Sequence, residues 1–284
     1  MKQYYFISGL PRSGSTLLSS ILKQNPKFTA SISDPLHSYV KSIISSTTMA
    51  VGMEAAVPVE KRRELILSLF ESFYKSGNQI CFNTNRAWSS DTALLKDLFP
   101  NFKMIVCLRE IPWILDSFEK LNSKNPYSIK PLYHHQDLNN VYERSNMLMG
   151  QYPNFGGYVS VPLDNTKTSM FCAEKNQICF IEYDTLARFP MLAMKQIYNF
   201  LEEPWFEHNF DNVEDSYDEF DEQAKITGLH SVRKKVEFIS RNSVIPYDLW
   251  EKYNTYSFWK FNFDHIKRSL NWINIKSNTV GKQL

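Results

Sequence analysis

The chain has 284 residues, 43% of them hydrophobic and 22% charged, a balance that excludes disordered and fibrous proteins. At about 150 residues per domain the length admits either one large α/β domain or two small ones, and we read a single domain over 1–284. Its 32 basic and 30 acidic side chains leave a net charge of +2, which argues against a nucleic-acid partner bound through a broad basic coat.

In chain order, Gln3–Ser8 reads as a short apolar strand. It is too short for the core of a signal peptide and is interrupted by Gly9-Leu10-Pro11-Arg12. Ser15–Gln24 has helical periodicity and ends before Asn25-Pro26. Lys61–Lys75 reads as an amphipathic helix with Leu65, Leu69 and Phe73 on its apolar stripe. Gln79–Phe82 is a short strand, Asp91–Phe99 a helix stopped by Pro100, and Phe102–Leu108 the clearest buried strand. Pro112–Leu121 follows as a helix with proline in its first turn, where the missing N–H costs nothing. Gln177–Glu182 is another strand and Met191–Leu201 another helix. Strands separated by helices imply a P-loop-like central parallel sheet flanked by helices on both faces.

The remaining stretches are less regular. The segments 122–133 and 151–168, within a broader acceptor-side region 122–168, read as loops beside a site; 211–245 is a second irregular region. Asp211–Glu222 holds seven acids in twelve residues and reads as a solvated surface segment. If it faced the site it would favour a cationic substrate. The tail Pro246–Ile275, with Trp250, Trp259 and Trp272, is expected to pack back on the core. Cys81, Cys107 and Cys179 lie in strand-like runs, and none of the four cysteines has metal-binding spacing. Reduced thiols, together with no apolar run near the ~18 residues of a membrane span, lead us to expect a cytoplasmic protein without a membrane partner.

The most informative segment is Phe6-Ile7-Ser8-Gly9-Leu10-Pro11-Arg12-Ser13-Gly14-Ser15-Thr16-Leu17. A strand ends, a glycine-flanked loop follows, and a helix begins, which is how backbone N–H groups are turned toward a bound phosphate. The spacing matches a nucleotide-binding loop, but Ser15 stands where nucleoside triphosphatases carry a lysine. The positive charge sits instead on Arg12, whose planar fork grips oxyanions in two contacts.

This loop resembles the first motif of the sulfotransferases that use 3′-phosphoadenosine 5′-phosphosulfate (PAPS), in particular the bacterial and tyrosyl-protein branch. The resemblance implies that Pro11, Arg12, Ser13, Gly14, Ser15 and Thr16 bind the 5′-phosphosulfate. A second match is Arg109 at a strand end with Ser117 eight positions later, which in that family hold the 3′-phosphate. The family's Asp-Pro turn is here Glu110-Ile111-Pro112. Tyr183, after the strand ending at Glu182, is implied to lie near the adenosine. Arg233 and Lys234, in Gly228-Leu229-His230-Ser231-Val232-Arg233-Lys234-Lys235, resemble the basic loop that closes over the 3′-phosphate.

The family's catalytic lysine after the second strand is absent: Asn83-Thr84-Asn85-Arg86 has Thr84 in its place, so that Arg86 or another cation substitutes or turnover is slow. The candidate base is Asp34, near the position of the tyrosyl branch's glutamate. Asp34-Pro35 is also a common helix start. His37, then His134 and His135, are the other candidates, with Arg12 stabilising the leaving group. The resemblance implies sulfuryl transfer from PAPS, leaving 3′-phosphoadenosine 5′-phosphate (PAP), to a hydroxyl or less favourably an amine of a small-molecule acceptor, and no metal. The alternatives are an ATP-dependent small-molecule kinase and a non-catalytic adenine-nucleotide-binding protein. Neither acceptor identity nor oligomeric state is legible in the sequence.

Overall fold

The computed structural model describes residues 2–127, 133, 138–154, 156–213, 218–223, 225–261 and 263–275. The chain runs β1 (Gln3–Gly9), α1 (Ser15–Leu22), β2 (Phe28–Ala30), α2 (Leu36–Thr48), α3 (Val51–Ala56), α4 (Val59–Phe73) and β3 (Ile80–Thr84). A 3-10 turn, Arg86–Ser90, leads to α5 (Thr92–Leu98), β4 (Met104–Leu108), α6 (Ile111–Lys124), α7 (Val141–Leu148), α8 (Ser160–Phe171) and β5 (Ile178–Glu182). Then come α9 (Tyr183–Arg188), α10 (Pro190–Leu201), α11 (Asp218–Gln223), α12 (Tyr247–Asn254), α13 (Asp264–Lys267) and β6 (Asn271–Trp272).

The six strands form one sheet in the order β2-β3-β1-β4-β5-β6, and all five pairings are parallel. The strands read as unbroken apolar runs because both faces are covered, and their period of two sorts side chains between two cores. Tyr4, Phe6, Met104, Val106, Ile178 and Phe180 join one core, with α2, α4, α5, α6 and α12. Tyr5, Ile7, Ile105, Cys107, Cys179 and Ile181 join the other, with α1 and α10. Cys81, Cys107 and Cys179 are free and buried.

This topology positions the site. Leu18, Ile21 and Leu22 of α1 pack on one face of the sheet, whereas Ile111, Ile114 and Leu115 of α6 pack on the other. β1 and β4 are neighbours, so the two chains leave adjacent strand ends in opposite directions. A crevice opens between them at the carboxyl edge, where open α/β sheets bind ligands. Gly9, at φ +116, makes the close approach possible: a Cβ there would lie 2.1 Å from the carbonyl oxygen of Cys107.

Several sequence expectations are corrected. In α4 the buried residues are Ile66 and Phe70, while Leu65 and Phe73 are 45% and 42% exposed. The helix carries two apolar stripes, and contact of Phe70 with the ring of Tyr4 (5.3 Å) selects the second. Part of 151–168, expected as loop, is α8, which buries Leu163, Thr166 and Met170. β2 was not expected. The acidic run is not simply a solvated segment: it contains α11, and Asp221 within it is buried. The tail does pack back, adding β6 to the sheet edge and stacking Trp272 on Phe180 at 5.6 Å. Among the described residues no helix is long and apolar enough to cross a membrane.

Candidate active site

A cleft of about 530 Å³ opens over the β1–β4 crevice. Its near wall is the loop after β1. Arg12 has φ 58 and Gly14 φ 95, both left-handed conformations, and both residues line the cleft. For arginine this is unfavourable backbone of the kind concentrated at functional sites. Gly14 also admits its neighbour: a Cβ there would lie 2.9 Å from Cδ2 of Tyr183. Ser15 and Thr16, the first residues of α1, line the cleft beside it, so the positive end of the helix faces the cavity.

Arg12 and Arg109 line the same cavity. Arg109 Nη1 donates to the carbonyl oxygen of Arg12 at 3.0 Å, and its guanidinium lies 4.4 Å from the centre of the Tyr183 ring. Its Nε is buried and has no hydrogen-bond partner among the described residues. Arg12 Nε donates to Ser117 Oγ at 3.0 Å, and Arg12 Nη1 to the carbonyl of Leu229. Ser117 therefore meets Arg12 in this state. Burial, reinforced by the nearby charge of Arg109, lowers the pKa of Arg12 to about 10. Burial likewise lowers that of Arg109. Two cations held together in a desolvated cleft are a standing attraction for an anion.

The far wall is the segment after Gly228. Arg233 and Lys235 line the cleft and Lys234 does not; the main chain of Lys234 instead accepts from Val213 N at 2.6 Å, and Lys235 pairs with Asp211 at 2.9 Å. Arg241, which the sequence reading passed over, also lines the cleft. It is held at 2.7 Å by Asp116, a fully buried carboxylate that also accepts from Lys120 at 3.0 Å and from Val244 N at 2.8 Å. The available signal was an aspartate on the apolar face of α6, adjacent to Ser117.

Neither expected base reaches the cleft wall. Asp34 is buried, and its Oδ2 accepts from Tyr74 Oη (2.7 Å), Asn83 Nδ2 (2.8 Å), Thr84 N (3.2 Å) and Ser31 Oγ. Burial raises its pKa against those hydrogen bonds. Its side chain does not cap α2; it ties the β2 and β3 ends to α4. His37 is turned away, with Nε2 2.7 Å from Asp91 Oδ2 and its ring edge-on to Trp88. His134 and His135 lie outside the described residues.

A carboxylate–imidazole pair does face the cleft. His230, a wall residue, has Nδ1 2.7 Å from Asp221 Oδ1, and its backbone N–H donates to Asp221 Oδ2 at 2.8 Å. Burial lowers its pKa below the ordinary histidine value in spite of Asp221, and Arg12 and Arg86 add to the lowering. These surroundings favour the neutral imidazole, and Asp221 orients it. With its proton on Nδ1 toward the carboxylate, the basic nitrogen is Nε2.

Fold and cleft together define a P-loop-like α/β protein whose glycine loop carries Arg12 and has Ser15 at the nucleotidase lysine's position. The chain belongs to the sulfotransferase family, whose sequence profile matches residues 5–207. Among solved structures it is similar to a sulfotransferase from Alicyclobacillus acidocaldarius, at 12% identity over 96% of this chain and 98% of that one, with a TM-score of 0.51. Mouse sulfotransferase SULT7A1, solved in complex with PAP, matches at 14% identity over 95% and 85% of the two chains, TM-score 0.47. The sulfotransferase domain from the curacin biosynthetic pathway matches at 14% identity over 97% and 99%, TM-score 0.48. No curated protein sequence matches significantly.

Proposed function

We propose that this sulfotransferase uses PAPS as donor and a hydroxyl of a small molecule as acceptor. The observation that carries the reading is the convergence of Arg12 and Arg109 on one cleft, each from a different strand end. PAPS carries anionic groups on both the 3′ and the 5′ oxygen of its ribose. A cation at the helix-start loop suits the 5′-phosphosulfate, and one at the neighbouring strand end, whose buried Nε has no partner among the described residues, suits the 3′-phosphate. Arg233 and Arg241 approach from the opposite wall, and Tyr183 offers a ring face beside Arg109.

The donor supplies a sulfur that exchanges its bridging phosphate oxygen for the acceptor oxygen. The chain's own residues do the rest. Arg12 and the amides of the glycine loop balance charge growing on the departing phosphate, as fixed donors do in phosphoryl transfer. We assign the base to His230, which takes the acceptor's hydroxyl proton on Nε2 while Asp221 holds Nδ1 and steadies the resulting imidazolium. The O–H electrons form the new oxygen–sulfur bond as the sulfur–bridging-oxygen bond breaks. No step draws on Asp34.

The test compares the unfolding midpoint with PAP, with ATP and Mg²⁺, and with no ligand, since a ligand that binds the folded chain raises it by mass action. Stabilisation by PAP well above that by ATP supports the reading. The reverse order favours a kinase, and no effect of either removes the nucleotide.

A further inference from the structure

The positive charge of the cleft extends beyond the β1 and β4 strand ends, while Arg241 and Lys235 on the facing wall are already paired with Asp116 and Asp211. Among the described residues its walls carry seven Arg and Lys side chains against two carboxylates, Asp184 and Glu237. Arg12, Arg109, Arg233 and Arg241 stand over the ends of β1 and β4 or on the wall facing them. Arg86 stands apart: it follows β3, on the other side of β1 from Arg109, and neighbouring strands are about 4.8 Å apart. A donor reaching from the β1 loop across β4 toward Tyr183 at the β5 end leaves the β2–β3 side for the acceptor. Of the wall residues from those two strand ends, Ile32, Ser33, Thr84, Asn85 and Arg86, only Arg86 is charged.

Arg86 is also held for recognition. Its Nη2 donates to Tyr158 Oη at 2.6 Å and its guanidinium lies 4.4 Å from that ring's centre. Among the described residues no carboxylate pairs with it. Of the acidic run that the sequence suggested for a cationic substrate, Asp221 holds His230 and Asp211 pairs with Lys235. A single planar guanidinium without an anion suits a monoanion taken in two parallel hydrogen bonds.

We propose that the acceptor is a hydroxy acid: a small molecule whose carboxylate docks on Arg86, positioned by Tyr158, with its hydroxyl directed to His230 and the β1 loop. This rests on the donor reading above for the direction of the hydroxyl but not for the carboxylate contact.

The test titrates 4-hydroxyphenylacetate and its uncharged twin, 4-hydroxyphenylacetamide, into the PAP-loaded protein, where Arg12 and Arg109 are occupied, and into the protein without PAP. The expected result is at least tenfold tighter binding of the acid. Arg86→Gln should abolish that preference without changing PAP affinity, and Arg86→Lys, which keeps the charge but not the fork, should retain part of it. Equal affinity for the two compounds, binding of neither, or a preference that survives Arg86→Gln overturns the proposal. So does a loss of transfer rate in Arg86→Gln that is equal for acid and amide, which would make Arg86 a transition-state cation. Failure of PAP itself to bind counts against the donor reading, and the titration without PAP then decides the carboxylate site alone.

Discussion

Arg109 and Arg12 are joined by a hydrogen bond from guanidinium to main-chain carbonyl, 3.0 Å long. The contact fixes the strained residue of the glycine loop to the neighbouring strand end, so that in the proposed reading one arginine shapes the loop and offers its remaining donors to the nucleotide.

Arg109→Ala is therefore expected to weaken PAP about ten- to a hundredfold, the loss of a hydrogen bond to a charged group being roughly 1.5–3 kcal/mol. ATP, which has no 3′-phosphate, should be affected less. Calorimetric titration of both nucleotides into both proteins measures this. Equal losses would limit Arg109 to its loop contact.

His230→Gln should leave PAP affinity intact and lower the transfer rate about 10²- to 10⁴-fold, the usual contribution of a positioned base. Because burial sets the His230 pKa below 6.5, the imidazole is already basic at neutral pH. The rate at saturating substrates should therefore hold from pH 7.5 to 6.5 and decline only below that, and the variant should lack this acid limb. A limb that persists in His230→Gln assigns the base elsewhere.

Asp34→Asn tests the opposite kind of role. One oxygen gathers four donors in a buried setting, so the amide substitution should cost about 1–3 kcal/mol of stability, while the folded fraction transfers sulfuryl groups at a rate within a few-fold of the parent. An unchanged urea midpoint with transfer abolished would make Asp34 the base instead.

His208 sets an acid limit on stability. It is buried among Trp205, Phe206 and Phe210, with Nε2 3.0 Å from Tyr198 Oη, and burial lowers its pKa to about 4. The unfolded chain binds this proton near pH 6.5, the folded chain near 4. The stabilisation is therefore complete above pH 6.5 and is lost as pH falls toward 4, amounting to roughly 3 kcal/mol. Urea midpoints across pH 7 to 4 should fall less steeply in His208→Phe than in the parent; parallel curves would exclude His208 as the source.

The longer strands β1, β3, β4 and β5 were legible because a sheet buried on both faces writes them as uninterrupted apolar runs, whereas the short β2 and β6 were not; the turn between β1 and α1 was legible from its glycines. What local sequence does not carry is the phase of a helix with two apolar stripes, which placed Leu65 inside when Ile66 is the buried residue. Nor does it carry pairings made by folding. Asp116 with Arg241, and Asp221 with His230, join segments whose separate compositions read as a helix, a basic loop and an acidic run. Asp34 lies near the motif in sequence, and its carboxylate turns into the interior because Tyr74, Asn83 and Ser31 converge there.

Arg12 reaches past the cavity to the carbonyl of Leu229, the residue before His230. Any anion that draws this side chain toward the glycine loop pulls on the peptide next to the imidazole. On the proposed reading, nucleotide arrival and the alignment of His230 are mechanically connected through one side chain, and an obligatory order with the nucleotide first is expected.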